Sequence, residues 1–81
     1  MLHWVYISKN SQGVLKIALS DDTSKLLSEM KPDEQIVYLR PFKYPFDALA
    51  HKYLLGHLSK KSVLFLIKKY RKETKKLLGF L

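Results

Sequence analysis

Apolar and polar positions alternate from the first residues onward. His3-Trp4-Val5-Tyr6-Ile7-Ser8 is β-branched and aromatic, the composition of a pleated strand. Lys9-Asn10-Ser11-Gln12-Gly13 is turn-forming, with a glycine available for positive φ, and Val14-Leu15-Lys16-Ile17-Ala18-Leu19 predicts the return strand of a hairpin. A period of two puts Val5, Ile7, Leu15, Ile17 and Leu19 on one face, which reads as core. Trp4, Tyr6, Ser8, Val14, Lys16 and Ala18 share the other face, where side chains capable of chemistry would stand.

The periodicity then changes. Ser20-Asp21-Asp22-Thr23 has N-cap chemistry, and a helix over about 22–30 turns Leu26, Leu27 and Met30 inward and stops before Pro32. Gln35 to Arg40 predicts a strand closed by Pro41. After the stiff segment 41–45, Pro45 suits the first turn of a helix over roughly 46–57, with Phe46, Leu49, Ala50, Tyr53 and Leu54 as its buried face. Ser59 caps a final helix running to about Leu78. The expected fold is α+β, a three-stranded antiparallel sheet flanked by helices in the order β-β-α-β-α-α, forming a single domain over residues 1–81.

On a helical wheel the final helix gathers Val63, Leu66, Ile67, Tyr70, Thr74, Leu77 and Leu78 within about 60° of one direction. Lys61, Lys68, Lys69, Arg71, Lys72, Lys75 and Lys76 fill the arc from roughly 80° to 240°. Phe65 interrupts that basic arc. Its ring is either a contact with the preceding helix or a platform on which a base could stack.

Composition sharpens this picture through charge and through what is missing. The chain carries 15 Lys and Arg against 7 Asp and Glu, a formal +8. Residues 1–40 are balanced, so the whole surplus lies in residues 41–81. Such asymmetry points either to a polyanionic partner, nucleic acid or an anionic membrane, or to a solvated basic face kept for solubility. The membrane alternative is set aside because the apolar stripe of the final helix is needed for the core of so small a domain. The absence of cysteine excludes disulfides, zinc–thiolate sites, iron–sulfur clusters and a thiol nucleophile. Val63–Ile67, the longest strictly apolar run, is too short to span a bilayer, and no signal-peptide pattern opens the sequence, so a cytoplasmic protein is expected. His3, His51 and His57 lack metal-binding spacing, and no phosphate-binding glycine loop or nucleophile elbow occurs.

Trp4-Val5-Tyr6-Ile7-Ser8-Lys9-Asn10, the turn with Gly13, Leu15–Leu19, Ile36-Val37-Tyr38, Asp47–Lys52 and Leu58-Ser59-Lys60-Lys61 together resemble the GIY-YIG nuclease superfamily in its short stand-alone form. That family reads Y-V-Y-I-L-x-N, G-x-L-Y-I-G-x-T, and later a helix with E-A-L-x-R-E. The resemblance implies that Tyr6 matches the tyrosine that helps activate water. Lys16 stands in place of the second-motif tyrosine and Ala18 in place of that motif's glycine. Leu26, beside Lys25, occupies the phosphate-steadying arginine position, Met30 that of a neighbouring histidine, and Lys52 that of the metal-binding glutamate.

Magnesium is held through oxygen ligands, and an ammonium at that position repels it. The resemblance with these replacements implies a lapsed nuclease site that binds nucleic acid without sequence preference, DNA favoured over RNA. Tyr6, Lys16 and Lys52 are expected to line a central groove, flanked by Lys61, Lys68, Arg71, Lys72, Lys75 and Lys76. No catalytic residue or cofactor is assigned. Two alternatives stand beside this reading: a nuclease still active through an altered site, which would need Mg²⁺, and a protein-interaction module for an acidic partner.

Overall fold

A computed structural model describes residues 2–81. Its elements are β1 (His3–Lys9), β2 (Leu15–Ser20), α1 (Thr23–Ser28), β3 (Gln35–Phe42), α2 (Pro45–His57), α3 (Lys60–Lys69) and α4 (Arg71–Leu78). The strands form an antiparallel sheet in the order β2-β1-β3, so the fold is α+β, with the expected last helix divided in two.

Local chemistry sets the boundaries. In the hairpin turn, Asn10 Oδ1 accepts from the N–H groups of Gln12 and Val14, each at 2.9 Å. Gly13 takes φ +80°, a value an L side chain rarely adopts. Asp22 caps α1 by accepting from Ser24 N–H at 2.9 Å, and Ser59 caps α3 by accepting from Ser62 N–H at 3.2 Å. Strand β3 runs past Arg40 through Pro41 to Phe42; an edge strand tolerates the missing N–H of proline. Its register against β1 slips between Ile7 and Ser8, which face Tyr38 and Ile36. Val37 is the extra residue of that bulge.

The sheet is covered on both faces. Val5, Ile7 and Tyr38 pack with Ala48 and Leu55 of α2 and Val63 of α3. Trp4, Tyr6 and Leu39 pack with Leu26 of α1, and Leu77 and Leu78 of α4 close over this second layer. On the face read as open to chemistry, Trp4, Tyr6 and Ser8 are therefore interior, and only Val14 and Lys16 of β2 and its turn stay exposed.

Two further expectations are corrected. Helix α2 is rotated from its predicted orientation: Ala48 and Leu55 are buried, whereas Phe46, Leu49, Tyr53 and Leu54 are exposed, as is Ala50. The helix is apolar on opposite sides, so periodicity alone does not choose between them. The side with the small Ala48 side chain faces the sheet and lets the helix approach it closely. The last helix breaks at Tyr70, whose φ −101° and ψ 15° end α3 and begin α4. Tyr70 meets Tyr38 edge-on with ring centroids 6.1 Å apart, and the Arg40 guanidinium lies 4.6 Å from the centre of its ring. The break carries the chain around the outer edge of β3. There the buried Thr74 Oγ1 accepts from Leu39 N–H at 3.3 Å, giving an edge-strand amide a partner. The predicted stripe from Val63 to Leu78 is thus divided between the two faces of the sheet. No helix of the described residues is long and apolar enough to cross a membrane.

Candidate nucleic-acid interface

The structure does not bring Tyr6, Lys16 and Lys52 together. Tyr6 is 4% exposed within the second core layer. Burial pushes its hydroxyl pKa above 10.0, and the charges of Glu29 and Glu34 raise it further. Glu34 is held in place: Oε2 accepts from Ser8 Oγ at 3.3 Å and Oε1 from Lys31 N–H at 3.1 Å. The charges that act on Tyr6 are thus carboxylates, the opposite of an anion-attracting setting. Lys16 is exposed on the outer strand β2, paired in register with Ser8. Lys52 sits on α2, on the other side of the sheet, beside a shallow hollow shared with Ile17, Leu49 and Tyr53. The expected central groove is absent because the sheet separates two of its three residues.

The flanking cations are arranged more productively. A groove of about 480 Å³ runs between the ends of β1 and β3 and helices α3 and α4. Ile36, Val37, Leu64 and Ile67 are among the residues of its apolar lining, and Lys9, Lys68, Arg71 and Lys75 supply four cations, with no carboxylate among the lining residues. Val37 reaches the groove at the bulge. Arg71 and Lys75 are one helical turn apart on α4 and share a face. The Thr74 hydroxyl, also in the lining, is engaged with β3, so the groove offers cations rather than a poised nucleophile.

Lys61 lies apart from this groove, beside a second hollow of about 430 Å³ with Leu58 and Phe65. Phe65 is 64% exposed. Lys72 and Lys76 are exposed on α4 but do not line the groove. Lys9 was missed by the sequence reading; a lysine at a strand end carries no pattern, and only the docking of α3 and α4 makes it part of a site.

A second polar cluster ties α2 to β3. Tyr38 Oη and His51 Nε2 are 2.8 Å apart, their rings stacked with centroids separated by 5.9 Å. Burial lowers the His51 pKa from 6.5 and the Arg40 charge adds to this, while burial raises that of Tyr38. Both groups are held neutral near neutral pH, so the contact acts as a hydrogen-bonded strut. Among the described residues, no three His, Asp or Glu side chains converge as a metal-binding group.

No protein-family model matches this chain, and no curated protein matches it in sequence. Among solved structures, the solution NMR structure of the UPF0213 protein BH0048 from Bacillus halodurans is similar, with a TM-score of 0.71 at 18% identity, covering 88% of this chain and 87% of that one. The likeness is one of fold.

Proposed function

We propose that this protein is a GIY-YIG-like domain whose nuclease site has lapsed and which binds nucleic acid, DNA in the first instance, without sequence preference. The observation that carries the reading is the groove between the sheet and helices α3 and α4, with four cations and no acid in its lining. Phosphate contacts supply most of the affinity of non-specific binding and need no base-reading side chains. The sequence resemblance and the fold shared with a UPF0213 protein support the ancestry. Two features support the lapse: a lysine at the position of the family's metal-binding glutamate, and a buried Tyr6 whose raised pKa leaves less phenolate to act as a base at neutral pH than a free phenol has. Relative to the family, the anion-binding surface has moved from the tyrosine face to the α3–α4 side.

Titration of labelled single- and double-stranded DNA and RNA at two ionic strengths tests the proposal. Binding to several unrelated sequences with similar affinity, weakening steeply with salt, is the expected result. An affinity that stays flat between low and moderate salt, or the absence of binding to any oligonucleotide, refutes it. Incubating supercoiled plasmid with Mg²⁺ or Mn²⁺ tests the lapse separately. Cleavage lost in Tyr6→Phe would show that the site still works.

A further inference from the structure

Helix α2 presents an apolar stripe that its own fold does not use. Phe46, Leu49, Ala50, Tyr53 and Leu54 recur at i, i+3, i+4, i+7 and i+8, the spacing of one helix face, opposite the buried Ala48 and Leu55. Phe46 is 82% exposed, Tyr53 63%, Leu54 55% and Leu49 40%. With a large aromatic side chain presenting about 200 Å², the two rings alone leave about 300 Å² uncovered, and the leucines bring the patch to about 450 Å². A contiguous surface of that size lies within the range of about 300–600 Å² that a monomer's largest apolar patch spans, and such patches are often functional.

The stripe is self-complementary. Ala50 stands at its middle, with Phe46 four residues before and Leu54 four after. In an antiparallel pair centred on Ala50, Phe46 of each copy faces Leu54 of the other, and Leu49 lies beside Tyr53, offset by two residues or about 3 Å of rise. Each aromatic ring then meets a leucine, and the small central residue allows the helix axes to approach to about 8 Å. Charge favours the same occupant. The stripe contains no charged side chain, while most of the cations of this +8 chain stand on α3 and α4. An acidic partner would find only Lys52, at the edge of the stripe beside Leu49 and Tyr53; a second copy needs only apolar surface. Two copies would bury about 900–1,000 Å² in total, near the lower bound for a specific interface and suited to a weak, reversible dimer.

We propose that the exposed stripe of α2 is a self-association surface through which two copies pair their α2 helices antiparallel about a two-fold axis at Ala50. This does not depend on nucleic-acid binding. Sedimentation of the full chain over about 1–300 μM tests it, a range that covers weak, reversible association. The mass should rise from one chain towards two. Phe46→Glu and Tyr53→Glu should each raise the dissociation constant at least tenfold while leaving the circular dichroism spectrum unchanged. The chain has no cysteine, so Ala50→Cys introduces a single thiol at the proposed axis without removing the patch. Under mild oxidation it should cross-link at least tenfold faster than Ser28→Cys, an exposed control on α1. A chain that stays monomeric throughout, a dimer indifferent to both glutamates, or Ala50→Cys cross-linking no faster than the control overturns the proposal.

Discussion

Replacing Lys68 and Arg71 together by alanine should halve the salt dependence of nucleic-acid binding. Both residues line the groove, at the end of α3 and the start of α4, and both are exposed, so their removal leaves the core untouched. If each of the four groove cations neutralises one phosphate of a duplex, log K falls with log salt at a slope of about −3.6, and two remaining cations give about −1.8. Between 50 and 200 mM salt, the unaltered chain should lose about 150-fold in affinity and the double variant about 12-fold. Fluorescence anisotropy with a labelled duplex at five salt concentrations reads both slopes. Lys61→Ala with Lys76→Ala is the control, since it removes the same charge from outside the groove. Equal slopes for the unaltered chain and the groove variant would show that those two cations touch no phosphate. A control variant that lowers the slope as much as the groove variant would show that net charge, not the groove, governs binding.

The rotation of α2 predicts opposite outcomes at neighbouring positions in urea unfolding: Leu55→Ala, at a fully buried site, should cost about 2–5 kcal/mol, whereas Leu54→Ala should stay within about 0.5 kcal/mol. Thr74→Val keeps the shape of the side chain but leaves the Leu39 amide without its partner; a loss of about 1 kcal/mol is expected, with Thr74→Ser recovering most of it in the same assay. The lowered pKa of His51 fixes the sign of a pH effect: its contribution to stability is complete above pH 6.5 and is lost as pH falls through the depressed folded value. Urea midpoints measured from about pH 7 to pH 5 should therefore fall with acidification, and more shallowly in His51→Gln.

The hairpin, its positive-φ glycine and the caps at Asp22 and Ser59 were legible because each is written in a few adjacent residues. The orientation of α2 was not, because the stripe richer in large side chains is the one left outside. What selected the other face was the fit of Ala48 against the sheet, a tertiary property. Tyr6 departs from expectation for a related reason: a period of two implies one dry and one wet face only where a single side of the sheet is covered. The uninterrupted run Trp4-Val5-Tyr6-Ile7 carried the corrective signal, since a central strand buried on both sides reads as continuous rather than alternating. The break at Tyr70 has no glycine or proline to announce it. It follows from contacts with Tyr38, Arg40 and β3 that exist only once the sheet has formed, and the groove inherits the same dependence.

That dependence ties occupancy of the groove to conformational stability. Arg71 and Lys75 stand on the helix whose other side closes over Trp4 and Tyr6, so the cations converge only in the native chain. A polyanion gripping them draws the unfolding equilibrium towards the native state by mass action, by about 2.7 kcal/mol at a hundredfold excess over its dissociation constant. The melting temperature should therefore climb with added ligand, so a simple thermal-shift screen can rank candidate polyanions.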